Sequence, residues 1–283
     1  CMLMLMEEIE ESMAFYQIYE GAVYMNTGRK YVVERVDTSS RIAYCGAPVQ
    51  VDYYTAVRDK GRIRTEAPQL LVAANGEEEA AGSKEGRRRM VAKAHFGDAT
   101  VEKDFLGYRK HQKITGKFIE QVDLVIPSIS YPTKATWVSV PEHVQNRVKE
   151  AYRGHAVDWQ EFLRAGLHAA GHAMSNVLPL FTRCSPSDVI TQCEYAMAKK
   201  FQKRRLIIAD RCKGGNGLSR KAYDVWVELI EAALSVAKNC TCTSPQGCPS
   251  CVYMLSCPEH NSMLDKKSAI LILEGMLAGE EEE

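Results

Sequence analysis

Five cysteines lie close together in residues 240–257, and thiolates at such spacings bind metal ions. Two residues separate Cys248 from Cys251, the interval that lets two sulfurs reach one ion, and the preceding Gly247 suits a left-handed turn. Cys240 and His260 are spare candidates, since a one-residue shift of register lets Cys240 replace the next cysteine. The spacing predicts one site with four thiolate ligands: Cys242, Cys248, Cys251 and Cys257.

Zinc is the metal that best fits four soft thiolates, because it forms a closed tetrahedral shell with them. A closed shell leaves no position for water, so the predicted Zn²⁺ is structural and its binding stabilises the fold. An iron–sulfur cluster, which uses the same ligands, is the alternative metal centre. Unliganded cysteines and a disulfide framework are further interpretations. A chain of 283 residues does not need disulfides to build a core, and the other cysteines are irregularly spaced.

Two histidines, His168 and His172, lie four residues apart and therefore on one face of the predicted helix. A zinc protease of the HExxH type has Glu directly after its first histidine, where this chain has Ala169. We expect both histidines to be structural, with their nitrogens satisfied in a helix–helix or helix–sheet contact. A hydrolase that uses the pair is the enzymatic alternative.

A glycine-rich turn links a short apolar strand to a helix start in residues 205–221. Two interpretations are open. The backbone N–H groups of the turn could bind a phosphate, with Lys213 adding charge, or the turn could serve only to pack strand and helix closely. It is not a Walker A loop, since no Gly-Lys-Ser/Thr closes it. The residues that we predict to shape the turn are Asp210, Gly214, Gly215 and Gly217.

The elements that position these residues indicate an α+β fold. The early part alternates β-branched and aromatic residues with turns, including a hairpin turn at residues 26–28, and the later part has helical periodicity. Asp158 predicts the start of a long helix, and Ser185 followed by Pro186 predicts another. The expected organisation is a β-hairpin-rich part at 1–72, a flexible charged loop at 73–88, a β-rich part at 89–140, and a helical part with the zinc-binding domain at 141–283.

The charges, which sum to a formal net charge of zero, are unevenly placed, with an excess of Lys and Arg in residues 84–117 and 199–221. Such patches are either solvated faces or contacts for a polyanion such as nucleic acid. Tyr53, Tyr54, Tyr108 and Trp137 are candidates for stacking on bases. No apolar run reaches the about 18 residues of a membrane span, so we expect no membrane partner. The candidate phosphate-binding residues are Arg87, Arg88, Arg89, Arg109, Lys110, Lys199, Lys200, Lys203, Arg204, Arg205 and Lys213.

The order of these motifs resembles the C-terminal region of the MrfA-like DNA helicases, a superfamily 2 group that includes the RecQ-four-like helicases. That region carries a zinc-binding domain of the MrfA type. The stretches that carry the resemblance, in chain order, are GAVYMNTGRKYVV, GYRK, ATWVSVP, LHAAGH, DRCKGGNGLS and the segment from Cys240 to NSMLDKK.

The resemblance implies an accessory region of an ATP-driven 3′–5′ DNA helicase that acts in repair. Its partners would be single-stranded or forked DNA and the motor domains of the same polypeptide. ATP and Mg²⁺ would belong to those motor domains, because this chain has no Walker motifs and we expect no activity from it alone. The protein would be nuclear in a eukaryote, or in the cytoplasm or nucleoid of a bacterium. The alternative function is a zinc-stabilised module that docks the motor or repair partners without contacting DNA.

Overall fold

The structure, a computed structural model, describes residues 4–66, 68, 70–71, 94–193 and 204–278. It confirms the α+β class, with antiparallel strands early and helices late. The chain forms two compact units, Cys1–Gly61 with Glu102–Tyr131 and Arg62–Val101 with Pro132–Glu283. The charged loop predicted at 73–88 lies outside the described residues.

The first unit contains a three-stranded antiparallel sheet of β1 (Val23–Asn26), β2 (Arg29–Asp37) and β3 (Ile42–Cys45). A short helix, α1 (Glu11–Gln17), precedes the sheet. Residues Thr27 and Gly28 both have positive φ, 45° and 77°, which is the geometry of a tight β-hairpin turn. The predicted hairpin is therefore confirmed.

A seven-stranded sheet has the order β4-β6-β8-β10-β9, and β5 and β7 both pair with β6. Strand β10 is fully buried and runs antiparallel to both β8 and β9. Leu206 and Ile208 belong to the core that β10 shares with helices of the second unit, and Ile207 and Ala209 on the opposite face are also buried, which explains the continuous hydrophobic sequence. The strands are β4 (Tyr53–Thr65), β5 (Leu70–Leu71), β6 (His95–Gln112), β7 (Phe118–Asp123), β8 (Ile129–Ser139), β9 (Val189–Ile190) and β10 (Arg205–Asp210).

In the described residues of the second unit, helix α3 packs against α2, α5, α6 and β10. Asp158 caps α3 by accepting a hydrogen bond from the backbone N–H of Gln160 at 3.2 Å, as its sequence position predicts. At Gly166 a Cβ would lie 2.4 Å from the Cβ of Ser268, so α3 and α6 approach closely there. The helices are α2 (Glu142–Ala151), α3 (Trp159–Val177), α4 (Leu218–Asp224), α5 (Trp226–Asn239) and α6 (Lys266–Ala278).

The helix predicted to begin at Ser185 is limited to one turn. Ser185 and Asp188 form a capping box around a short 3-10 helix, Pro186–Asp188. The chain then enters β9, because the β-branched pair Val189–Ile190 is buried beside β10. Ser185 is therefore a helix cap as predicted, but the residues that follow Asp188 favour a strand. Among the described residues, no helix is both long and apolar enough to cross a membrane.

Candidate metal centres and surfaces

Four cysteine sulfurs converge in the loop that follows α5. Cys240 lies directly at the C-terminal end of α5, and the chain then turns back through Gly247, whose φ is +86°. The Sγ atoms are 3.5 Å apart for Cys240 and Cys248, and 3.8 Å apart for Cys242 and Cys251. All four sulfurs lie within 4.8 Å of one another. The loop therefore gathers four potential ligands around one point.

The spacing of these sulfurs fits a tetrahedral zinc ion. Zinc–sulfur bonds of about 2.3 Å place tetrahedral sulfur ligands about 3.8 Å apart. The surroundings act in both directions on these thiols, because burial raises the pKa of Cys251 to about 12 and that of Cys242 above its ordinary value, while nearby donors lie against the sulfurs. The Lys266 Nζ lies 3.5 Å from the Cys242 sulfur, and the backbone N–H of Cys248 donates to the Cys251 sulfur at 3.1 Å. A hydrogen bond from the Ser250 backbone lowers the pKa of Cys248 to about 7. The residues fit Zn²⁺ bound in a closed shell.

The four sulfurs that the structure brings together differ by one member from the predicted set. Cys240 stands in the cluster, and Cys257 lies elsewhere. The physical reason is that Cys257 turns towards α3, where its sulfur lies 3.4 Å from the Nε2 atom of His168. His260, the other spare candidate, is exposed and belongs to neither group of converging ligands in the described residues.

A second group of potential ligands forms where Cys257 meets α3. It consists of His168, His172, Cys193 and Cys257, whose ligand atoms also lie within 4.8 Å of one another. The Cys193 sulfur is 3.5 Å from the Nε2 atom of His172. Both histidines are fully buried. We predicted that both histidines would be satisfied in a helix–helix or helix–sheet contact, but their Nδ1 atoms contact the loop carbonyls of Met263 and Val252, and no local pattern in the sequence indicates the approach of Cys193 and Cys257.

The electrostatics of this second group favour the forms that bind metals. A hydrogen bond with the Cys193 side chain and the proximity of the two imidazoles hold the pKa of the Cys257 thiol well below its ordinary value despite burial. Burial lowers the pKa of His172, which favours its neutral form. A thiolate and a neutral imidazole are the ligand states that Zn²⁺ requires.

The glycine turn is closed by a buried carboxylate. The Asp210 side chain accepts hydrogen bonds from the backbone N–H groups of Asn216, Gly217 and Ser219, at 2.8, 3.0 and 2.6 Å. These are the amides that the phosphate interpretation required. Gly214, Gly215 and Gly217 have φ values of +81°, +83° and +88°. The geometry therefore favours the structural interpretation of the turn.

The candidate phosphate-binding residues fall into three groups. Arg205 is only 4% exposed, and its guanidinium donates to the Ile63 carbonyl, Thr65 and Gln192. Because its side chain lies inside the protein, Arg205 is not available on the surface as a phosphate contact. The described candidates outside the core are Arg109, Lys110, Arg204 and Lys213. The remaining candidates lie outside the described residues: Arg87, Arg88, Arg89, Lys199, Lys200 and Lys203.

The aromatic candidates also separate by burial. Tyr108 and Trp137 are 4% and 7% exposed, which leaves no free ring face for a base. Tyr54 is 43% exposed and stacks on His111, with ring centroids 5.4 Å apart. Phe118, paired with His111 across β6 and β7, is 52% exposed and meets it edge to face. We call Tyr54, His111 and Phe118 the aromatic face of the first unit.

The sequence and the fold are both similar to those of known proteins. Residues 170–252 match the model of the MrfA Zn-binding domain, a range that includes all four clustered cysteines. The chain is 26% identical to the ATP-dependent helicase hrq1 of Schizosaccharomyces pombe, over 96% of this chain and 25% of that helicase. It therefore spans about a quarter of the length of that relative.

One further relative and one solved structure are also similar to this chain. A protein of Methanocaldococcus jannaschii is 32% identical over 40% of this chain, and the match covers 100% of that protein. A crystal structure of the DUF1998 helicase MrfA bound to DNA shares the fold, with a TM-score of 0.52 and 22% identity over 93% of this chain and 31% of the helicase. The chain belongs to the family of proteins that carry the MrfA Zn-binding domain.

Proposed function

We propose that this chain is the accessory region of an ATP-dependent 3′–5′ DNA helicase that acts in DNA repair, and that it binds and guides single-stranded DNA. The observation that carries the proposal is the match along 96% of this chain to only 25% of a helicase. ATP and Mg²⁺ would act in the motor domains of the same polypeptide. In a eukaryote the protein would work in the nucleus, and in a bacterium in the cytoplasm or nucleoid.

The metal in this proposal is Zn²⁺ held by Cys240, Cys242, Cys248 and Cys251. Four protein ligands leave no coordination position for water or substrate, so the ion would stabilise the fold and take no part in the reaction. It would fix the end of α5 relative to the start of α6, because Lys266 donates both to the Cys240 carbonyl, at 2.8 Å, and towards the Cys242 sulfur.

DNA contact is supported best by the aromatic face. Exposed rings stack on bases of any sequence, and nearby cations neutralise phosphates. The loop between β6 and β7 adds the exposed Lys113 and Lys117, and Arg109 lies two residues before His111 on the same face of β6. Rings and cations together are the combination typical of a surface that follows a single strand.

A salt series with labelled single-stranded DNA tests the DNA-binding part of the proposal. Double substitution Tyr54→Ala and Phe118→Ala is expected to weaken binding at least tenfold, since stacking contributes about 1–3 kcal/mol per base. The matched control is Ile114→Ala, which removes an exposed aliphatic side chain from the adjacent turn. We expect affinity to fall steeply with salt concentration.

No binding at low salt, or a salt slope near zero, would contradict DNA contact by this chain. Retention of helicase-motor binding under those conditions would favour the docking function instead. The same substitutions in the full-length helicase should lower DNA-stimulated ATP hydrolysis at limiting DNA while leaving the rate at saturating DNA unchanged.

A further inference from the structure

The group formed by His168, His172, Cys193 and Cys257 has the geometry of a metal site independent of the four-cysteine cluster. It shares no residue with that cluster. For a tetrahedral zinc ion, bond lengths of about 2.3 Å to sulfur and 2.0–2.1 Å to nitrogen place sulfur and nitrogen ligands about 3.5–3.6 Å apart. The two sulfur–nitrogen distances in the structure are 3.4 and 3.5 Å.

The histidine rings are oriented as metal ligands are. The Nδ1 of His168 donates to the Met263 carbonyl at 2.7 Å, and the Nδ1 of His172 donates to the Val252 carbonyl at 3.0 Å. These hydrogen bonds place the proton on Nδ1, so each Nε2 directs a lone pair at the cysteine sulfurs. Metal-binding histidines are held in this way, with the non-ligating ring nitrogen donating to a carbonyl or carboxylate.

We propose that His168, His172, Cys193 and Cys257 bind a second structural Zn²⁺. Two imidazoles and two thiolates complete a tetrahedral shell, and the ligand atoms converge closely enough for a single ion. Two iron ions bridged by sulfide would need the ligands divided into separated pairs, which this compact arrangement does not provide.

The second ion would join three parts of the unit that are separated along the sequence. Both histidines come from the middle of α3, Cys193 follows β9, and Cys257 lies in the loop between the first cluster and α6. Without the ion, α3 and the loop that carries Cys257 are held together by side-chain packing and by the hydrogen bonds of the two Nδ1 atoms to loop carbonyls. Four protein ligands and full burial of both rings leave no access for substrate, so the role is structural.

This inference concerns metal content and does not depend on DNA binding. The experiment begins with the unmodified chain, purified without chelator, in which we expect two zinc ions per chain. Zinc K-edge X-ray absorption should then report an average of about three sulfur and one nitrogen neighbours per zinc, because one site has four thiolates and the other has two. One zinc per chain with an all-sulfur shell would overturn the proposal.

Single substitutions assign each ion to its site. Cys193→Ser should reduce the zinc content from two to one and leave an all-sulfur shell. Cys240→Ser should also leave one zinc, with a mixed shell of sulfur and nitrogen. The matched control is Cys184→Ser, a cysteine outside both groups, which should keep two. If a variant fails to fold, the metal count and absorption spectrum of the unmodified chain still decide the question.

Discussion

Asp210 sits fully buried at the end of β10, where its carboxylate accepts three backbone hydrogen bonds. A buried charge is costly unless it is fully hydrogen-bonded, and the turn supplies the donors that this one needs. The same donors are consequently closed to a phosphate. At this scale, one side chain decides between the two roles that the glycine pattern allows.

Substitution Asp210→Asn should lower the free energy of unfolding by about 3 kcal/mol, because an amide accepts with one oxygen and brings unsatisfied donors into the turn. The measurement is urea unfolding followed by circular dichroism. Asp224→Asn is the control, since Asp224 forms an exposed ion pair with Arg220 and should cost less than about 1 kcal/mol. Equal effects of the two substitutions would contradict the role of Asp210.

Arg205 has a structural role because its side chain is buried and hydrogen-bonded inside the protein, although its charge suggested a contact with DNA. Substitution Arg205→Ala removes the donor of the Ile63 carbonyl and of the Thr65 hydroxyl, so we expect a loss of about 2–4 kcal/mol in the free energy of unfolding. The DNA affinity of the folded protein should stay unchanged. A loss of affinity at full stability, measured by fluorescence anisotropy, would return Arg205 to the set of DNA contacts.

At the scale of elements, the close contact of α3 with α6 depends on the absence of a side chain at Gly166. Alanine favours helices by about 1 kcal/mol over glycine, yet its Cβ would lie 2.4 Å from the Ser268 Cβ and 2.9 Å from the Ser268 carbonyl carbon. We therefore expect the clash with Ser268 to cost more free energy than the higher helix propensity of alanine contributes. The backbone of α6 at Ser268 cannot move aside as the end of a flexible side chain can.

Substitution Gly166→Ala should lower the free energy of unfolding by about 1–3 kcal/mol. A double-mutant cycle with Ser268→Gly tests the cause, because removing the nearest Cβ should recover part of the loss. Additive effects in thermal unfolding would mean that the two positions do not interact.

Local signals in the sequence were sufficient for several elements. Turn residues 26–28 predicted the β1–β2 hairpin, and Asp158 predicted the start of α3. They were not sufficient for elements that depend on partners distant along the chain. The capping residues at 185–188 form only one helical turn, because pairing with β10, an element later in the chain, draws Val189 and Ile190 into a strand.

The metal ligands also divide into those that a local sequence signal predicts and those that depend on distant partners. The cysteine-rich segment predicted a thiolate site, but its spacing placed Cys257 among the ligands and left Cys240 only as an alternative to Cys242, whereas the structure gathers both Cys240 and Cys242 and not Cys257. The choice depends on the return of Cys257 to α3, 89 residues away from His168 along the chain. No local pattern encodes such a contact, so the histidine–cysteine group emerges only with the fold.

For the whole molecule, both groups of ligands lie in the second unit. Removal of zinc with a strong chelator should therefore destabilise that unit selectively. Amide hydrogen exchange is expected to rise in α3, in residues 240–265 and in α6, while the β1–β2 hairpin of the first unit keeps its protection. Added Zn²⁺ should restore the original pattern. A uniform rise across both units would contradict a local structural role for the metal.

The two ligand groups differ in how much chain they enclose: the cysteines of the first span residues 240–251, and the ligands of the second span 168–257. Closing a short loop costs little entropy, so the cysteine-rich segment can capture zinc even in an unfolded or newly synthesised chain. Binding to the unfolded chain reduces the stability that a ligand confers on the native state. The dispersed histidine–cysteine group has no such early affinity. At equal native affinity, zinc bound there would resist unfolding more strongly than zinc bound by the four cysteines.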